Sequence, residues 1–134
     1  MGKKISLLTL CALNGIKEAL YLLVAPFLPE QLREKQVDEL YYAPLFVSYG
    51  VTLFIASLLA GHYQQKFSRS ATLRVGTLLH AVSCGCFISL KYVKAGDEIL
   101  FLTMGFAGRI LEGVGAGMLQ TAAYGEALAQ NREN

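Results

Sequence analysis

The sequence predicts an all-α protein, a multi-pass bundle of four transmembrane helices. Three observations carry that prediction. Hydrophobic residues make up 54% of the 134-residue chain and charged residues only 16%, with a mean hydropathy of +0.42, high for a water-soluble domain. The apolar residues fall in four blocks, Ile5–Leu28, Pro44–Gly61, Leu73–Leu90 and Ile99–Tyr124, each about long enough for a helix to cross hydrocarbon. A soluble bundle needs a polar stripe along every helix, and the second and third blocks have none. Between Phe46 and Ala60 the only polar side chains are Ser48, Tyr49, Thr52 and Ser57.

Helix one is expected over about 5–28, ending near Pro26 or Pro29, because proline cannot continue the hydrogen-bond ladder. Its start, Lys3 and Lys4 before ISLLTLCAL, resembles a signal peptide, but the apolar run resumes from Ala19 to Leu28 and favours a retained helix. MGKKIS also fits the myristoylation pattern at Gly2, an anchor that a multi-pass protein does not need. The polar connection PEQLREKQVDELYYA leads to helix two, about 44–61, with Pro44 in its first turn. A short basic connection, HYQQKFSRSATLR, precedes helix three at about 73–92. A turn around Gly96 then leads into helix four, about 99–124.

Lysine and arginine in the short connections set orientation. One side carries Lys3, Lys4, Lys66, Arg69, Arg74 and Arg132, the other Arg33, Lys35, Lys91 and Lys94, which favours cytoplasmic N- and C-termini. The formal net charge of +2 comes with no basic cluster, so no nucleic-acid partner is indicated. Cys11, Cys84 and Cys86 all lie in apolar blocks, where inert thiols are the default, and Cys-Gly-Cys lacks the spacing of a zinc site. No metal or cofactor is expected. Nor does the sequence contain a nucleophile–base pair or a phosphate-binding loop, so an enzyme is disfavoured.

The chemistry concentrates in GRILEGVGAGMLQTAAYG, where Arg109 and Glu112 stand three residues apart on one helix face. A charge in hydrocarbon costs at least about 2.5–3.5 kcal/mol, so both belong in the bundle interior, as a transport or coupling site or as a clasp between helices. Gly113, Gly117, Thr121 and Gly125 recur every fourth residue and form a groove that lets another backbone come close. Helix one carries a second polar cluster, Asn14, Lys17 and Glu18. There Glu18 is a candidate proton carrier, since its occupancy responds to burial and to a nearby cation. The alternative is a Lys17/Glu18 neighbour pair in a helix that starts later. His80 reads as a packing residue, and Tyr49 and Thr52 either line a cavity or face a neighbouring helix.

These residues together resemble the N-terminal part of a major facilitator superfamily transporter. The resemblance rests on APFLPEQL at the exit of helix one and on GHYQQKFSRS between helices two and three. In the second stretch Gly61, Lys66 and Arg69 match the family's loop signature, while Gln65 replaces an aspartate, Ser68 a glycine and Ser70 a base. GRILEGVGAG is similar to the family's fourth-helix pattern, with Arg109 at the arginine. The resemblance implies the first part of that fold, a proton- or substrate-coupling role for Arg109, and a conformational-switch role for the loop with Gly61, Gln65, Lys66 and Arg69. The missing loop acid implies a weaker latch.

That family works with twelve helices in two halves, the solute binding between them. Four helices and the ending EALAQNREN are therefore read as an N-terminal portion of a secondary transporter of a small solute, with proton coupling open and the remaining helices as its partners in the bilayer. Two alternatives use four helices alone. One is a non-transporting membrane subunit that packs on a partner through its glycine face. The other is a small dimeric antiporter, resembling the small multidrug-resistance proteins, with Glu18 as its essential acid.

Overall fold

The computed structural model describes residues 7–63, 66 and 68–132 and contains four helices: α1 (Leu7–Glu34), α2 (Tyr42–Tyr63), α3 (Arg69–Leu90) and α4 (Glu98–Arg132). A single 3-10 turn, Glu39–Tyr41, precedes α2. There is no strand among the described residues. All four helices are long and apolar enough to cross a membrane. Their outer faces carry Leu22, Leu23, Phe54, Leu58, Leu78 and Ile88, all exposed, as expected of surfaces whose solvent is hydrocarbon rather than water.

The helices run up, down, up and down, with α4 at the centre. It packs closely against α3 on one side and α2 on the other, while α1 lies across it more loosely. Glycines in α4 permit both close packings. A Cβ on Gly113 would stand 2.7 Å from the Tyr49 carbonyl of α2, and one on Gly115 would stand 2.8 Å from the Gly76 carbonyl of α3. Without side chains at those points, backbones touch and dispersion contacts replace the hydrophobic drive that lipid removes.

The termination of α1 departs from expectation. Pro26 and Pro29 both lie inside the helix, which continues to Glu34. Each proline removes one N–H from the ladder, but Pro26 faces outward and the flanking turns hold the segment. The helix stops at Gln36, whose φ of 59° is left-handed. Val37 N–H donates to the Leu32 carbonyl at 2.9 Å and Gln36 N–H to the Arg33 carbonyl at 3.2 Å, the paired bonds of a Schellman cap. Val37 and Leu32 are buried in one cluster and close the cap with an apolar contact.

Elsewhere the helices are longer than expected, because the caps lie further out. Ser68 caps α3, its Oγ accepting from Ala71 N–H at 3.2 Å, so α3 begins four residues before Leu73 and ends at Leu90. The α4 helix continues past Tyr124 to Arg132. Between α3 and α4 the chain turns at Gly96, with φ of 93°, a conformation natural to glycine. Gly96 N–H donates to the Lys35 carbonyl at 3.2 Å, and Lys35 Nζ to the Lys91 carbonyl at 3.0 Å, tying the end of α1 to this turn.

The core is layered. At one end Val24, Leu28, Leu32, Val37, Leu45, Phe87, Leu90, Val93 and Phe101 form an apolar cluster. At the other, Leu10, Leu73, Leu119, Ala122 and Ala123 form a smaller one. The buried polar residues Lys17, His80, Arg109 and Glu112 lie between the two along their helices.

Candidate functional site

The middle layer is built from all four helices. From α4, Arg109 Nη1 donates to Glu112 Oε2 at 2.6 Å, the i to i+3 spacing placing both on one face. Arg109 is 0% exposed and Glu112 1%. The guanidinium carbon lies 4.4 Å from the centre of the Phe46 ring, 5.1 Å from Tyr49, 5.5 Å from Tyr21 and 5.9 Å from Phe87. Three helices thus surround the cation with aromatic rings, each contributing roughly 0.5–2 kcal/mol where water is excluded. Tyr21 and Tyr49 stack on each other with centroids 4.8 Å apart, joining α1 to α2 beside the charge. Nε and Nη2 of Arg109 are buried and make no hydrogen bond, so two of the three guanidinium nitrogens keep unused donors.

Helix α1 adds Lys17, 3% exposed, whose Nζ donates to Gln120 Oε1 of α4 at 3.2 Å and meets Glu18 Oε1 at 2.8 Å. Glu18 itself points outward, its side chain 61% exposed. The enclosed charges of Lys17, Arg109 and Glu112 therefore sum to one excess positive charge, balanced only by a carboxylate on the bundle's surface. Asn14 stands half-buried about one turn away. His80 of α3 is buried with neither ring nitrogen hydrogen-bonded, and Ser83 Oγ donates to its carbonyl at 2.8 Å.

The residues singled out in the sequence are thus divided. Arg109, Glu112 and Lys17 face the interior, while Glu18 leaves it. Gly113, Gly117 and Thr121 face α2 rather than an open surface: Gly117 lies against the Leu53 and Ser57 backbone, and Thr121 Oγ1, which donates to the Gly117 carbonyl of its own helix at 2.9 Å, also reaches the Ser57 carbonyl of α2 at 3.4 Å. Gly125 follows one turn on, half-buried. Thr52 meets Gly113, and its hydroxyl donates to the Ser48 carbonyl at 2.7 Å.

Of the residues matched to the loop signature, Gly61 lies instead in the last turn of α2, 3.9 Å from Thr121 Cγ2 as measured from the position a Cβ would take. Lys66 is exposed, and Arg69 pairs with Glu126 of α4 at 3.5 Å. Gln65, Gly2, Lys3 and Lys4 lie outside the described residues. Cys11, Cys84 and Cys86 are free thiols. Among the described residues no three metal-ligating side chains converge.

Sequence reasoning missed Gln120 and the aromatic ring of Tyr21, Phe46 and Phe87. Gln120 was within reach, since it lies eight residues after Glu112 on the same helical row. The aromatic residues carried no such signal among fourteen Phe and Tyr residues.

Four apolar spans around a buried charged layer define a multi-pass integral membrane protein in contact with lipid. Comparison of the chain with protein families, curated proteins and solved structures returns no match.

Proposed function

We propose that this four-helix unit supplies the charged lining of a facilitator-type transporter for a small solute, working together with further helices that complete the path. The observation that carries this reading is Arg109: a guanidinium enclosed in mid-span, one nitrogen held by Glu112 and two left with unused donors. A buried donor without a partner costs about 1–3 kcal/mol, a penalty that structure alone does not require. The free donors and the excess positive charge favour an anionic group, such as a carboxylate, on the solute. Glu112 then acts as the resting partner of Arg109, exchanged for the solute or for a proton as the path opens. Glu18 supports the same picture, because an ionised carboxylate on the outer face of α1 requires water or polypeptide beside it rather than acyl chains.

The test is solute-driven flux in proteoliposomes made from the native membrane assembly, with a panel of small carboxylates and a pH-sensitive dye. Glu112→Gln and the double variant Arg109→Met/Glu112→Met should abolish flux while leaving the assembled protein at its normal size and melting temperature. A purely structural clasp behaves differently, since a buried ion pair replaced by apolar residues of similar volume is often tolerated. Full flux in the double variant therefore overturns the proposal.

The exposure of Glu18 also favours a second reading, the dimeric antiporter, in which a second copy covers that carboxylate. Glu18→Gln would then abolish proton-coupled flux while Arg109→Met/Glu112→Met leaves it intact. The partner-binding subunit reading loses support, because α2 of the same chain already fills the groove at Gly113 and Gly117.

A further inference from the structure

Helices α2 and α3 lean on opposite sides of α4 and barely on each other. The gap between them is a groove of about 450 Å³, floored by Val114 and Met118 and walled by Ile55, Leu59, Ala71 and Val75. Two threonines border it, but both hydroxyls are turned to their own backbone: Thr52 Oγ1 to the Ser48 carbonyl at 2.7 Å and Thr72 Oγ1 to the Ser68 carbonyl at 3.4 Å. The groove therefore presents hydrocarbon alone, and a polar solute would lose hydrogen bonds on entering it. A helix with its side chains is roughly 10–12 Å across. A single acyl chain is much thinner and fits lengthwise.

What lies at the groove's end narrows the occupant further. The groove reaches Tyr63, the last residue of α2, and Ala71, in the first turn of α3, so it opens where the chain leaves the span. Tyrosine is at home at that level of a bilayer. Two exposed cations lie close to that end along the chain: Lys66, whose backbone N–H donates to the Tyr63 carbonyl at 2.8 Å, and Arg74, one residue before the groove-lining Val75. Neither forms an ion pair among the described residues, whereas the neighbouring Arg69 is engaged by Glu126.

From this geometry we infer that the groove is a binding site for an anionic glycerophospholipid, one acyl chain lying between α2 and α3 and the phosphate meeting Lys66 and Arg74. The inference requires only that the helices span a membrane and does not rest on transport.

Native mass spectrometry of the full chain released from detergent tests it, with phosphatidylglycerol and phosphatidylcholine of identical acyl chains as probes. Phosphatidylglycerol should be retained preferentially, and Lys66→Gln and Arg74→Gln should each lower that preference roughly fivefold. Lys66→Arg and Arg74→Lys should preserve it, because charge rather than shape selects the headgroup. Ala71→Phe, which fills the groove, should weaken retention of both lipids. Equal retention of the two lipids overturns the inference, as does an unchanged preference in both glutamine variants. Undiminished binding in Ala71→Phe, or a second copy of the chain in place of lipid adducts, overturns it too. So does a gain in thermal stability from inorganic phosphate that equals the gain from the lipid.

Discussion

Lys17 of α1 and Gln120 of α4 are joined by a hydrogen bond of 3.2 Å that spans 103 residues of sequence and links the most loosely packed helix to the central one. The donor is a buried ammonium whose remaining bond goes to Glu18. Gln120→Leu strands part of that charge, and we expect it to lower stability by about 1–2 kcal/mol, between the usual worth of a bond to a charged group and the smaller values found inside membranes. Unfolding in mixed micelles measures this, with faster hydrogen exchange expected in α1 before the other helices. Equal exchange in α1 of both proteins would mean that packing alone holds the helix.

Phe46 is the ring nearest the Arg109 guanidinium, at 4.4 Å. Phe46→Leu keeps an apolar side chain there but removes the π face, so it should destabilise the bundle by roughly 1–2 kcal/mol beyond the same change at the exposed Phe54. Arg109→Lys should be no rescue, because an ammonium lacks the flat guanidinium that sits between rings. Both effects are read from melting temperatures of the purified variants.

Gly113→Ala places a methyl group 2.7 Å from the Tyr49 carbonyl and against the Thr52 hydroxyl, so α2 must move away from α4. Overpacking of this kind costs about 1–3 kcal/mol. Gly85→Ala is the control: a Cβ there meets nothing within 4 Å, and the change should be neutral or stabilising by up to about 1 kcal/mol through helix propensity. A similar loss at both positions would rule out close approach as the cause.

Gln36 occupies a left-handed position that L residues adopt at a cost of about 1–2 kcal/mol. Gln36→Gly should therefore stabilise the cap of α1, by up to about 1 kcal/mol after its extra freedom in the unfolded chain is deducted. Gln36→Val should do the reverse. Thermal unfolding separates the two, and if glycine and valine behave alike the cap does not limit stability.

Helix number, type and approximate position were legible because each span is a long apolar block, and hydropathy is a sum over many residues. Ends were less legible, since they depend on single contacts. The Schellman cap needs Gln36 in a conformation that its side chain does not announce, and Pro26 and Pro29 read as stops although α1 passes through both. In the charged layer, Arg109 and Glu112 were visible because charge is rare in such surroundings and their spacing fixes a shared face. The enclosure around them was not, because Tyr21, Phe46 and Phe87 come from three separate helices and meet only when those helices pack. Glu18 shows the converse. Its neighbour Lys17 turns inward, but consecutive helical positions lie about 100° apart, so the carboxylate faces away from the layer it was grouped with.

The apolar clusters at either end of the bundle also determine how the membrane voltage acts on this protein. A charge carried across the full membrane exchanges about 2.3 kcal/mol with each 100 mV, but Arg109 and Glu112 are held together at 2.6 Å, and an equal and opposite pair moving as one body exchanges almost nothing. While the two stay together, the buried pair is therefore nearly silent to voltage. Voltage gains a grip on the pair only when its members part, so any step that separates them should appear as a small displacement current.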